Sequence, residues 1–250
     1  MATNGFSTRE TITHARDTLW PYRSGMGMIN SAEWIVFFDD FVGSVASNVP
    51  DGWGAAIIDT GATITSYASA TGGVIRVTSD AASEGVSIYL PKSIKLTGKK
   101  FFMEVRVRTG DADDTDLRFG LSDLSATSDP EDMWDTSNAD MLNFGVSDGD
   151  ATPTLIYDKD NGGPVTDTAS GTTYDLADAT WVTLGLYYNG ATTDSQKVAR
   201  GYVDGQLAIT AATNAQVPED VILAPFVGAR GGDGGVGTID IDYFRFAIER

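Results

Sequence analysis

The chain has 250 residues, 42% of them hydrophobic, no cysteine and a formal charge of −18; that apolar share fills one large core or two small ones. The lack of cysteine removes disulfides, thiolate nucleophiles and sulfur-ligated metals, and the negative balance argues against a nucleic-acid partner, whose phosphates need clustered Lys and Arg. No stretch nears the roughly 20 apolar residues of a membrane helix, and the first residues show no apolar signal segment, so the expectation is no membrane partner and synthesis in a cytoplasm.

Residues 1–30 differ from the rest: Arg9, Arg16 and Arg23 outnumber Glu10 and Asp17, so this stretch is net cationic in an acidic chain. It also strings Trp20, Pro21, Tyr22, Met26, Met28 and Ile29 among Gly and Ser without a strand or helix period. It reads as an extended N-terminal arm, residues 1–33, held against its own domain or by a neighbouring chain.

From Trp34 onward the pattern is β. Gly, Ser, Thr, Asn and Asp cluster between short runs rich in Val, Ile, Thr and aromatics, the composition of strands joined by turns. Trp34–Phe38, ended by Asp39-Asp40, fits a fully buried strand or the entry to the domain. Strand-sized pieces then fall at Trp53–Ile58, Thr63–Ala68, Gly73–Thr78 and Val86–Leu90, at the ~8–12-residue spacing of sandwiches, and read as a meander. Lys99–Arg108 alternates clearly, with Phe101, Met103, Val105 and Val107 on one face and Phe102, Glu104, Arg106 and Arg108 on the other. Glu104 and Arg106 read there as a surface ion pair. Further strands are expected at Asp116–Ser122, Met141–Ser147 and Thr154–Tyr157, with Asp123–Asp140 as a polar loop. In the last seventy residues Trp181–Asn189, Val198–Thr210 and Thr238–Ile248 read as consecutive antiparallel strands. Asp204-Gly205 supplies the chemistry of a two-residue primed hairpin turn. Ile239 and Ile241 occupy one phase of the final strand while Phe244, Phe246 and Ile248 occupy the other, so a bulge is expected near Tyr243. There is no fixed-period repeat or heptad run.

Trp181 to Gly190, Gly201 to Leu207 and Thr238 to Ala247 together resemble the end of a concanavalin A-like, or laminin-G-like, jelly roll, and similar domains appear in tailed-phage virion proteins. The resemblance covers roughly residues 35 to 250, within a domain read as 34–250. It implies an all-β jelly-roll sandwich of two antiparallel sheets, with lectin, glycosidase or virion-surface roles grafted onto loops.

Glycosidases of this fold carry paired carboxylates as Glu-x-Asp-x-Glu, because retaining chemistry needs two carboxyls about 5 Å apart. The motif is absent here. His14, the single histidine, sits in the arm, which disfavours a Ser-His-Asp triad. Asp111, Asp113, Asp114 and Asp116 cluster in one turn and Asp158, Asp160 and Asn161 in another, but neither has calcium-loop spacing, so solvated acidic turns are expected, with no metal and no cofactor. Asp240 and Asp242 read as ordinary outward residues. For carbohydrate, the loop-proximal aromatics Trp134, Tyr157 and Tyr174 are the candidates.

The expected function is a non-enzymatic phage virion protein, a capsid decoration or cement protein at the capsid surface. Its arm would bind the major capsid protein or other virion subunits through Arg9, Arg16, Trp20, Tyr22, Arg23, Met26 and Met28, the aromatic-plus-Arg mixture of interface anchors; a homo-oligomer such as a trimer fits. The alternative is a glycan-binding head or tail fibre module that contacts the host surface.

Overall fold

A computed structural model describes residues 33–41, 49–57, 61–66, 73–82, 85–123, 140–147, 149–160, 163–212, 214–232 and 235–250. The expected arm and most of the 123–140 loop lie outside them. Among the described residues, fifteen strands form two antiparallel sheets that face each other across one apolar core.

One sheet holds β1 (Trp34–Asp39), β3 (Thr63–Ser66), β4 (Ile75–Thr78), β6 (Phe101–Thr109), β11 (Val182–Tyr188), β12 (Ala199–Val203), β13 (Gln206–Thr210) and β15 (Thr238–Glu249). Its order is β13-β12-β11-β6-β15-β4-β3, with β1 paired to β15. The other sheet holds β2 (Gly54–Ile57), β5 (Gly85–Tyr89), β7 (Thr115–Ser122), β8 (Met141–Ser147), β9 (Asp150–Asp158), β10 (Val165–Thr168) and β14 (Ala224–Gly231), in the order β10-β9-β8-β7-β14-β5-β2.

Two topological expectations are corrected. The run from Trp53 to Leu90 is no meander, because β3 and β4 lie in one sheet while β2 and β5 lie in the other; nor is Trp34–Phe38 fully buried, since Ile35 and Phe38 are exposed on β1. Strands of either sheet turn a face to the same core, so the apolar pattern carries no record of the crossing. The three late stretches are also not consecutive: β11, β12 and β13 are neighbours, but β14 crosses to the opposite sheet before β15 returns between β6 and β4. Two local expectations hold. Val203 pairs Gln206 across Asp204 (φ 49°) and Gly205 (φ 79°), the left-handed pair a primed turn requires. The β15–β6 register shifts between Ile241 and Tyr243, leaving Asp242 as the extra residue.

The core forms where the inward phases meet: Met103, Val105 and Val107 of β6, Leu184 and Leu186 of β11, and Phe244 of β15 lie opposite Leu117, Phe119 and Leu121 of β7 and Leu142 and Phe144 of β8, all fully buried. Each such side chain contributes about 1.5–3 kcal/mol. At one end Trp53 packs edge-on against Phe244 at 5.0 Å, while its indole N–H donates to Asp39 Oδ2 at 2.8 Å.

At the β9–β12 end a buried ionic knot joins the two sheets. Lys197, wholly shielded from solvent, lies 2.7 Å from Asp194 Oδ1 and 2.8 Å from Glu219 Oε2, and Lys159 reaches Glu219 Oε1 at 3.2 Å. Burial disfavours the Lys159 ammonium, but Glu219 and Asp220 outweigh it and hold its pKa above the usual lysine value. A buried ion is costly once its partner is gone. Glu219→Ala should therefore lose about 3 kcal/mol in urea unfolding, with Glu219→Gln losing less because it keeps an oxygen toward Lys197.

Candidate functional site

The outer face of the seven-stranded sheet offers little to solvent. Asp116, Arg118, Ser122 and Asn143, all in its outward phase, are buried, and Arg230 Nε donates to Asp116 Oδ2 at 2.7 Å. Burial is the main reason that Arg118 falls to about 10; Asp116 opposes the fall and Arg230 adds to it.

The outer face of the eight-stranded sheet is different. There Glu104 and Arg106 of β6, Trp181 just before β11, Thr183 within it, the Asp204-Gly205 turn, and Tyr243 and Arg245 of β15 line a pocket of about 360 Å3. These segments come together because β12, β11, β6 and β15 are adjacent, with Glu104 opposite both Gly185 and Arg245, and Arg106 opposite both Thr183 and Tyr243. The bulge at Asp242 turns Asp242 and Tyr243 out on the same face. Asp242 then pairs with Arg106, while the Tyr243 hydroxyl donates to Glu104 Oε1 at 2.7 Å.

The charged side chains in the wall are anchored. Arg245 shares Glu104 Oε1 with Tyr243. Burial, and then the Glu104 charge, push the Tyr243 hydroxyl well above its ordinary pKa, so it stays a donor. Asp204 Oδ1 accepts the Thr183 N–H at 3.0 Å, and Asp204 N–H donates to Thr183 O at 2.7 Å, fixing the turn to β11. The Arg106 and Arg108 guanidiniums lie 4.9 and 5.0 Å from the Trp181 ring centroid, a cation–π arrangement. Beside the pocket Phe38, 40% exposed, packs at 6.1 Å from Tyr243.

These contacts revise the sequence reading. Glu104 is 5% exposed and its partners are Tyr243 and Arg245 across the strands, not Arg106; cross-strand neighbours stand closer than residues two apart on one strand. Asp240 faces outward as expected but is buried, held by Arg76 at 2.7 Å and by Arg108. Tyr157 offers no face to a sugar: it is fully buried in the core and its hydroxyl donates to Asp167 at 2.7 Å. Its odd phase in β9, shared with Leu155, points it inward. Tyr174 is half-buried against the core, its hydroxyl donating to Leu207 O at 3.0 Å. Arg9, Arg16, Trp20, Tyr22, Arg23, Met26, Met28 and Trp134 lie outside the described residues. Sequence reasoning missed the Trp181–Arg106–Tyr243 grouping, whose only trace is the outward phase of three separate strands.

The acidic turns close on themselves. Asp111 Oδ1 accepts the N–H groups of Asp113 (3.1 Å) and Asp114 (3.2 Å), and among the described residues no three Asp, Glu or His side chains converge as a metal site.

Neither a protein-family model nor a curated protein matches the sequence. Solved structures do. The carbohydrate recognition domain of Emp47p is 18% identical with a TM-score of 0.58, over 87% of this chain and 98% of that one. Lectin II from Ulex europaeus is 13% identical with a TM-score of 0.58, over 86% and 99%. The endo-1,3-β-glucanase from Streptomyces sioyaensis is 16% identical with a TM-score of 0.52, over 88% and 98%. At such identities the likeness speaks for the fold and not for an activity: the chain is an all-β jelly-roll sandwich of the concanavalin A-like, lectin-like kind.

The second acidic turn gives the protein a pH signature. Asp140 is 8% exposed and accepts the Asp160 N–H. Burial raises its pKa, the Asp160 hydrogen bond opposes this, and the charges of Asp123, Asp160 and Asp158 add to the rise. The folded state therefore holds this proton more tightly than the unfolded chain. The associated stability is complete below the unfolded value and is lost as pH rises through the folded one. Asp140→Asn keeps the acceptor and removes the charge, so its melting temperature should exceed that of the parent at pH 7, with the gap closing below about pH 4.

Proposed function

We propose that this chain is a non-enzymatic glycan-binding module that takes a sugar into the pocket on the outer face of the eight-stranded sheet. The observation that carries the reading is the pocket's make-up. Trp181 and the Phe38–Tyr243 pair stand beside it, and between them lie fixed donors and acceptors, Arg106, Thr183 and Asp204. The lining is mainly polar, with Trp181 and Tyr243 as its rings, a make-up suited to a ligand rich in hydroxyls. Mounting these groups on strands already locked by ion pairs limits the ordering cost of binding.

The lectin-like neighbours lend support to this reading, and the glucanase neighbour marks hydrolysis as its rival. Against hydrolysis, the chain lacks the paired-carboxylate motif, Glu104 is engaged by Tyr243 and Arg245, and Asp204 caps the β11 backbone.

A second reading places the module at a virion surface, as a capsid decoration protein held by residues 1–33. It is favoured by the cationic, aromatic-rich composition of that stretch and by the strand that follows it, where Ile35 and Phe38 are 49% and 40% exposed. The two readings are compatible, since a displayed module can bind host glycans.

Two measurements test them separately. Trp181→Ala should weaken any saturable binding on a glycan array by at least about tenfold, a loss of the size expected for an aromatic anchor, while leaving the melting curve cooperative. Deleting residues 1–28 should abolish incorporation into particles and leave glycan binding intact; wild-type occupancy by the truncated chain would end the decoration reading.

A further inference from the structure

Resting on the glycan-binding reading, we propose that the pocket selects neutral sugars and rejects those carrying a carboxylate. Its lining holds two guanidiniums, Arg106 and Arg245, and two carboxylates, Glu104 and Asp204, so the charges balance. The guanidiniums are already matched, Arg106 to Asp242 and Arg245 to Glu104. An acidic sugar would have to displace Asp242 from Arg106. It would do so next to Asp204, an exposed carboxylate.

The protein as a whole opposes the same ligand. A chain of −18 disfavours anions in general, but a Debye length of about 8 Å at physiological ionic strength screens all except the nearest charges, so the repulsion that counts is that of Asp204 within the pocket. Uncharged hydroxyls meet no such barrier. Asp204 uses Oδ1 for the Thr183 N–H and keeps Oδ2 as an acceptor for a sugar hydroxyl, while the part-exposed Arg106 guanidinium, held by Asp242 through one N–H, has further N–H groups to offer to hydroxyl oxygens. A volume of about 360 Å3 lies at the small end of ligand sites and suits one or two sugar residues, not a long chain. Trp181 offers apolar surface to the C–H face of such a ring.

The test is a calorimetric titration of the full chain with charge-matched pairs: glucose with glucuronate, galactose with galacturonate, and lactose with sialyllactose. The expected result is that at least one neutral member binds, at least about tenfold more tightly than its acidic twin, with affinity changing by less than roughly twofold between low and high salt, since no counterion is released. Asp242→Asn releases Arg106 and should narrow the neutral-to-acidic ratio, an effect that loss of structure would not produce. Acidic members binding as well as or better than their neutral twins would overturn the selectivity while leaving glycan binding standing. No binding by any member, together with an array showing no saturable ligand, would instead remove the glycan-binding reading itself.

Discussion

The pairing of β15 with β6 is the contact on which the molecule depends. It runs from Ile239–Thr109 to Ile248–Phe101 through the middle of the eight-stranded sheet, and β4, β1 and β11 attach to these two strands. The inward phase supplies Met103, Val105, Val107, Ile241 and Phe244 to the core. The outward phase supplies Glu104, Arg106, Tyr243 and Arg245 to the pocket. One set of backbone hydrogen bonds thus positions both the apolar interior and the polar site, and apolar burial inside provides the rigidity that the outer groups use.

The pocket is built from groups that would each be unremarkable on a surface. Exposed ion pairs contribute little to stability, but here they hold aromatic rings and carboxylates in place. The Asp204 turn shows the economy of this arrangement: the residue whose positive φ closes the hairpin is also the residue whose carboxylate faces the pocket and fixes β11. A chain with lectin-like architecture needs no catalytic residue for such a site, only side chains that stay where the sheet puts them.

Much of the fold was legible in the sequence because half-buried strands advertise themselves. Phe101 to Arg108 alternates cleanly, Asp204-Gly205 announces its turn, and the phase change between Ile241 and Phe244 betrays the bulge. Two strands escaped notice for opposite reasons. β10 is a four-residue edge strand, Val165–Thr168, whose half-buried face carries a single apolar residue, Val165, too little to leave a pattern. In β14, Ala224–Gly231, nearly every residue of both phases is buried, so small and apolar groups run together. The pocket was not legible because its lining spans residues 104 to 245, and only the register between strands makes them neighbours. Tyr157 misled for a related reason: its position near a loop gave no hint that its phase points into the core.

The outer-face charges have one more consequence, for the uniqueness of the fold. Alternation fixes a strand only to within two residues, because a slip of two restores every side chain to its proper face. Sliding β15 along β6 by two in one direction would set Arg245 opposite Arg106; sliding it the other way would set Arg245 opposite Phe102 and leave Glu104 without its cation. Asp240 would lose Arg108 in either case. Ion pairs too weak to hold the sandwich together therefore act as a ruler, reading the one distance along the strand that hydrophobicity leaves ambiguous.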